Sequence, residues 1–282
     1  MTSTRKIFLV AFFLFAFSAL QAQVPDTGFV MYQKDSAIIP ETNATIIFFQ
    51  ENERLTAAQS AKTFIVTKSR RTLSLAKFRK EANLLSADIV LADLDNDGKK
   101  ELLMYNFTGG AHCCDEIYIF KNIAPDKYQY VVKMFGGHTV INAANELEFT
   151  FTESFGYFFT CYGCRYADTT DGAPLFLDRI TLKYNKGKCT VVPGDTELKS
   201  IINDNLAKLG EQPYEKLADE PAMDEGLRKE VAINLVIFYY SFGRNLTETQ
   251  KLFNKYYKHP DAKKVWDVFT KNLGDIKKGN DF

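Results

Sequence analysis

An acidic stretch between two apolar runs constrains the fold of this chain more than any other feature. The segment DLDNDGKKE, residues 93–101, contains one glycine, Gly98, where a sharp turn needs backbone angles that a side chain resists. Apolar runs at 89–91 and 102–107 flank it, and their β-branched and aromatic residues predict strands rather than helices. The alternating carboxylates of the segment are those of Asp93, Asp95 and Asp97. The sequence therefore predicts a tight, oxygen-rich loop between two strands.

This loop offers the donors that a hard cation needs. Besides the three aspartates, the carbonyl of Lys99 falls at the seventh loop position and Glu101 at the ninth. Oxygen ligands in this number suit Ca²⁺ better than Mg²⁺, which keeps more water, and zinc prefers His or Cys. Met104 stands where an EF-hand needs its bidentate Glu, so the loop does not fit an EF-hand. A solvated acidic turn without an ion is the alternative.

The pattern D-x-D-x-D-G-x-x-[DE] between strands resembles the calcium loops of FG-GAP and VCBS-type repeats. The resemblance covers residues 87–120, and it implies Ca²⁺ as the cofactor. The implied ligands are Asp93, Asp95, Asp97, the backbone of Lys99, and Glu101. Those families build propellers from many copies of the repeat, whereas this chain has one copy. The neighbouring GGAHCC stretch also resembles exported bacterial proteins, a likeness that carries no activity.

The N-terminus has the pattern of a secretion signal. Arg5 and Lys6 supply positive charge, residues 7–17 are apolar and aromatic, and residues 18–22 have the composition of a cleavage region. We therefore predict a signal peptide at 1–22 and a secreted or periplasmic protein. An uncleaved membrane anchor is the alternative, although the apolar run is short for spanning a bilayer. No later apolar run is long enough to span a membrane.

The remaining chain divides into a β region and a helical region. Its 282 residues are 46% hydrophobic with a formal net charge of zero, which is ordinary globular composition and does not favour a nucleic-acid partner. Short runs rich in β-branched and aromatic residues recur up to residue 193, and the run at 147–159 reads as a hairpin. We predict an α+β fold, with an antiparallel calcium-binding β domain, a sandwich or partial barrel, at 23–193. An α-helical region follows at 194–282.

Helical periodicity is clear in the C-terminal region. An apolar helix is expected at 223–242, and a last helix follows Pro260. The region packs against the β domain or forms a small second domain. The expected N-terminal caps of the other two helices are Asp195 or Thr196, and a capping box of Thr247 and Gln250.

The chain has five cysteines, and in an oxidising compartment four of them are expected to pair as disulfides, which leaves one over. We expect bonds between the pair Cys113 and Cys114 and the pair Cys161 and Cys164, with Cys189 as the odd thiol. The segment CYGC also matches a thioredoxin-like redox motif, but that motif needs a helix after its first cysteine and no helix signal follows here. A zinc site is a further alternative, which export disfavours. Its ligands would be His112, Cys113, Cys161 and Cys164.

His112 lies near two carboxylates in the sequence, those of Asp115 and Glu116. A histidine–carboxylate pair can perform acid–base chemistry, but no nucleophile motif such as G-x-S-x-G or H-E-x-x-H accompanies it. A turn histidine bonded to backbone is the favoured interpretation. The sequence thus predicts a non-enzymatic exported protein, stabilised by Ca²⁺ and disulfides, that binds a protein or glycan ligand at the cell envelope. The alternatives are a metal-assisted hydrolase using His112 and a thiol redox protein using Cys161 and Cys164.

Overall fold

The computed structural model describes the chain in segments. The described residues are 26–28, 35–39, 44–49, 54–58, 64–66, 72–74, 86–107, 115–124, 127–166, 177–214, 216–217 and 224–282. The predicted signal peptide at 1–22 and the residues His112, Cys113 and Cys114 lie outside them.

A seven-stranded sheet carries the acidic loop. Its strands are β1 (Asp26–Gly28), β5 (Phe64–Val66), β6 (Thr72–Ser74), β7 (Ser86–Ala92), β8 (Glu101–Phe107), β9 (Asp115–Ala124) and β10 (Lys127–Phe135). The order across the sheet is β1-β7-β8-β9-β10-β5-β6. The four strands β7 to β10 form an antiparallel meander, and β5 joins β10 in parallel. Buried side chains run without alternation through the middle of β9, so both of its faces are covered.

The other described strands form two smaller antiparallel sheets. One is formed by β2 (Asp35–Ile39), β3 (Ala44–Phe49) and β4 (Arg54–Ala58), and the other by β11 (Thr139–Ile141), β12 (Leu147–Thr150), β13 (Arg179–Asn185) and β14 (Lys188–Val191). Along β13, Ile180, Leu182 and Tyr184 are buried and alternate with more exposed residues, as a strand with one face on the core requires.

Four helices follow the sheets in the described part of the chain. They are α1 (Thr196–Gly210), α2 (Leu227–Ser241), α3 (Leu246–Tyr256) and α4 (Ala262–Gly279). Of the two predicted caps, Asp195 is the one that caps α1, by accepting a 2.8 Å hydrogen bond from the Leu198 N–H. The capping box of Thr247 and Gln250 is wrong, because Asn245 caps α3 and accepts from the N–H groups of the second and third helical residues.

One hydrophobic core joins the β11–β14 sheet, the antiparallel meander β7–β10 and the helices. Aromatic rings make several of the connections: Phe151 stacks on Tyr240 of α2, and Phe155 stacks on Phe269 of α4. Phe253 of α3 and Phe269 of α4 are also buried in this core. The meander β7–β10, the β11–β14 sheet and the helices are thus parts of one packed unit.

The α+β fold class is confirmed, and no closed barrel is present among the described strands. The predicted hairpin at 147–159 is wrong beyond its first strand. After β12 ends, residues 152–159 form turns, because Phe155 and Phe158 are drawn into the core beneath the helices. No helix in the part of the chain that is described has the length and apolarity needed to cross a membrane.

Candidate metal site and the disulfide turn

The acidic loop closes the β7–β8 hairpin. Ala92 pairs with Glu101 at the end of the ladder, so the loop spans the residues between them. Leu94 is buried within the loop and anchors it to the core. Glu101 is the first residue of β8 and its exposed fraction is only 1%. The sequence pattern of strand, acidic turn and strand therefore places one carboxylate inside the protein and the others around it.

Three of the predicted ligands come together. Ligand oxygens of Asp93, Asp95 and Glu101 lie within 4.8 Å of one another. Asp97 is exposed and does not belong to this group of carboxylates. This spacing allows one cation to contact all three carboxylates, since Ca²⁺–oxygen distances are about 2.3–2.6 Å.

The aspartate side chains also organise the loop backbone. Asp93 accepts hydrogen bonds from the N–H groups of Asp97 at 3.0 Å and Gly98 at 2.9 Å. Asp97 accepts from the Lys99 N–H at 2.9 Å. Gly98 has a φ of 82° and Asn96 a φ of 56°, which are left-handed angles that Gly and Asn tolerate best. The loop is thus preformed by its own residues.

The electrostatics of the group are unfavourable without a cation. Burial raises the pKa of the Glu101 carboxyl to about 8, and the nearby Asp95, Asp97 and Asp93 add to the rise. Asp95 Oδ1 is a buried oxygen that has no hydrogen-bond partner among the described residues. Such orphaned buried acceptors are rare in folded proteins because leaving them unpaired is costly. Burial, then the charges of Glu101 and Asp95, also raises the pKa of Tyr184.

A bound Ca²⁺ fits these observations. Carboxylate oxygens are the ligands that it prefers, the orphaned Asp95 Oδ1 would gain a partner, and a divalent cation would reverse the electrostatics that disfavour an ionised Glu101. The side chains that would hold it are Asp93, Asp95 and Glu101.

The loop also contacts the sheet formed by β11 to β14. The Lys186 N–H, in the β13–β14 turn, donates a 2.9 Å hydrogen bond to Asp95 Oδ2. Asn145, in the β11–β12 turn, donates to the side chain of Asn96 at 3.2 Å. The acidic loop therefore lies where hairpins of two sheets meet, and an ion there would fasten both.

The cysteines pair differently from the prediction. Cys161 forms a disulfide with Cys164, so a bond from either of them to Cys113 or Cys114 is wrong. A bond within CYGC is favoured because one tight turn, closed by a 3.2 Å hydrogen bond from the Cys164 N–H to the Cys161 carbonyl, brings the ends of this segment together. Because of this bond, neither Cys161 nor Cys164 has a free thiolate that could bind zinc. Cys189 is free and buried, as expected of the odd thiol, and burial raises its pKa to about 12.

The carboxylates of the hydrolase alternative have other partners. Asp115 lies 3.4 Å from His138 Nδ1, and the hydrogen bond between them raises the pKa of that histidine. Glu116 accepts hydrogen bonds from the hydroxyl of Tyr118 and from Lys133 Nζ, both at 2.7 Å. Glu153 lies near the Asp115–His138 pair and has one buried oxygen, Oε2, without a hydrogen-bond partner. The expected pairing of Asp115 or Glu116 with His112 falls outside the described residues.

The sequence interpretation overlooked three buried charges at the start of α2. Arg228, Lys229 and Glu230 are each at most 1% exposed, although the segment was treated as part of an apolar helix. Arg228 pairs with Asp224 at 2.7 Å and with Asp261 at 2.8 Å. Their consecutive positions were a usable signal, because three successive charges cannot all lie on one exposed stripe of a helix.

Comparison of the chain with family models, curated protein sequences and solved structures gave no match in any of the three.

Proposed function

We propose that this protein is an exported binding protein in which one Ca²⁺ fastens the seven-stranded sheet to the β11–β14 sheet. The observation that carries the proposal is the group formed by Asp93, Asp95 and Glu101, whose oxygens lie within 4.8 Å and include the orphaned Asp95 Oδ1. Burial of Glu101 in this group favours a permanently bound structural ion over a solvated acidic turn.

The placement of the loop supports a structural role for the ion. Asp95 and Asn96 contact turns of the other sheet, so neutralising the loop would hold both hairpins in register. The predicted signal peptide at 1–22 agrees with this role, because the compartments outside the cytosol are rich in calcium. The proposed ligand is a protein or glycan at the cell envelope.

Calcium binding is tested by calorimetry on chelator-treated protein together with thermal unfolding. We expect one bound Ca²⁺ per chain and a higher Tm in its presence; a ligand at a hundred times its Kd adds about 2.7 kcal/mol to the free energy of unfolding. An unchanged Tm after EDTA treatment and no binding heat would refute the proposal.

Two variants locate the site. Asp95→Asn removes one charge from the orphaned carboxylate and should abolish the calcium-dependent rise in Tm. Asp204→Asn, an exposed change on α1, removes the same charge elsewhere and should leave the rise intact. Export is tested separately by N-terminal sequencing of the mature protein, which is expected to begin at Gln23.

A further inference from the structure

The disulfide turn is held against α2 by buried charges. Lys229 is 0% exposed, and its ammonium donates hydrogen bonds to the carbonyls of Tyr162 at 2.7 Å, Cys164 at 3.2 Å and Gly156 at 3.3 Å. The three carbonyls belong to the segment that contains the Cys161–Cys164 bond. A positive charge is therefore directed at this turn from the protein interior.

The ammonium of Lys229 has no acidic hydrogen-bond partner among the described residues. The next residue, Glu230, forms a bidentate ion pair with Arg165, the residue that follows Cys164. Burial, then the charge of Arg165, lowers the pKa of Lys229 to about 8. A cation buried with only carbonyl acceptors is costly, and an anion that formed in the turn would compensate it.

The disulfide itself contributes little to holding the turn. Its cysteines are three residues apart, and a bond that closes so short a loop constrains the unfolded chain least. The noncovalent anchors act on both ends of the segment, through Lys229 on its carbonyls and through Glu230 on Arg165. Gly226 has a φ of 105°, and a Cβ there would approach the Tyr166 nitrogen to 2.7 Å, so the chain leaving the turn is also fitted closely to α2. Both sulfurs would therefore stay near each other after reduction.

The outer side of the turn is accessible. Gly163 is exposed, and a Cβ placed on it would meet no atom within 4 Å. Cys161 and Cys164 are half-buried, and Tyr157 nearby is 65% exposed. A second molecule can thus approach the sulfurs from outside while Lys229 lies inside.

We propose that Cys161 and Cys164 form a thiol–disulfide exchange site, in which Lys229 stabilises the thiolate and a dithiol is the co-reactant. This activity is independent of the proposed calcium site, which uses other residues. Residues 165–166, the described residues directly after the turn, are not helical, and the cation takes the place that a helix N-terminus has in thioredoxin-like motifs.

The exchange balances in two steps. A thiolate of the dithiol attacks the sulfur of one cysteine and forms a mixed disulfide. The electron pair of the broken Cys161–Cys164 bond remains on the other sulfur as a thiolate, in the turn whose carbonyls Lys229 binds. The second thiol of the co-reactant loses its proton and attacks the co-reactant's sulfur in the mixed disulfide. This forms the disulfide of the co-reactant and releases the first cysteine as a thiolate. The protein gains two electrons and two protons, and the dithiol is oxidised to a disulfide.

The test is reduction of the folded protein by dithiothreitol, followed by alkylation with iodoacetamide across a pH series. Peptide mass spectrometry reads Cys161 and Cys164 separately from the other cysteines. We expect the bond to be reduced without unfolding, and one of the two thiols to titrate at least one unit below the usual cysteine pKa of about 8.5. Reduction only in denaturant, or two thiols with ordinary pKa values, would overturn the proposal.

Variants of Lys229 separate a thiolate-stabilising role from a merely structural one. Lys229→Met should lower the alkylation rate at pH 7 about tenfold, because a pKa one unit higher leaves about a tenth of the thiolate. Lys263→Met removes the same charge from a site that is 88% exposed and should leave the rate unchanged. An unchanged rate in folded Lys229→Met would contradict the role of the ammonium. If that variant does not fold, Lys229→Arg keeps the charge and should keep the low pKa, and the wild-type pH series still decides the proposal.

Discussion

The backbone N–H of Lys186 donates a 2.9 Å hydrogen bond to the carboxylate of Asp95, across 91 positions of the chain. This bond connects the acidic loop of the seven-stranded sheet with the β13–β14 turn of the four-stranded sheet. The other oxygen of the same carboxylate is the orphaned Oδ1. One side chain therefore contributes both to the contact between sheets and to the proposed calcium site.

Calcium removal should loosen this contact in particular. We expect EDTA to increase the hydrogen-exchange rate of the Lys186 amide. Without the cation, the carboxylates of the loop repel one another and Asp95 is held less firmly. Exchange at Ile119, in the middle of β9, should change little, since that strand is buried on both faces. Hydrogen exchange followed by mass spectrometry or NMR measures both. Equal changes at the two positions would indicate global destabilisation instead.

The buried ion pair at the start of α2 should be costly to break. Arg228→Met leaves Asp224, which is 0% exposed, without the partner at 2.7 Å, and we expect the free energy of unfolding to fall by about 3–5 kcal/mol. Adding Asp224→Asn should recover part of the loss because the buried charge disappears. Urea denaturation of the two single variants and the double variant measures the coupling. Strictly additive losses would contradict the pairing.

His138 should titrate above its usual value. Its hydrogen bond with Asp115 raises the pKa of the imidazole, so the pairing stabilises the fold at pH values below the unfolded pKa of about 6.5. That contribution is lost as the pH rises through the folded pKa. NMR titration of the imidazole protons gives the value directly, and Asp115→Asn should lower it. His138 is 58% exposed, so the accompanying change in stability is small.

The sheets and the helices should unfold together. Phe155, from the turn after β12, stacks on Phe269 of α4, and Phe155→Ala should lower the free energy of unfolding by about 3–5 kcal/mol. The single tryptophan, Trp266, lies on α4 and reports on the helices through its fluorescence. Its transition should coincide with that of far-UV circular dichroism in both wild type and variant. Separate transitions would show that the helical region is an independent domain.

Local patterns in the sequence predicted much of this fold. Alternation and β-branched residues located the strands around the acidic loop, and helical spacing located α1 and α2. These predictions succeed because side chains repeat every two residues in a strand and about every 3.6 in a helix. The spacing of Asp93, Asp95 and Glu101 likewise followed from loop geometry, which is local.

Only the tertiary structure decided the long-range relationships. The three carbonyls around Lys229 and the contact of Lys186 with Asp95 each depend on how separate elements pack. The Cys161–Cys164 bond is local, but it was one of several possible pairings among five cysteines. A single sequence does not encode such contacts in any periodicity, because the partners are distant along the chain or compete with equivalent residues. Burial explains the rest: α2 reads as apolar from its composition, yet the chain buries its charged first turn because the disulfide turn and Asp224 satisfy it there.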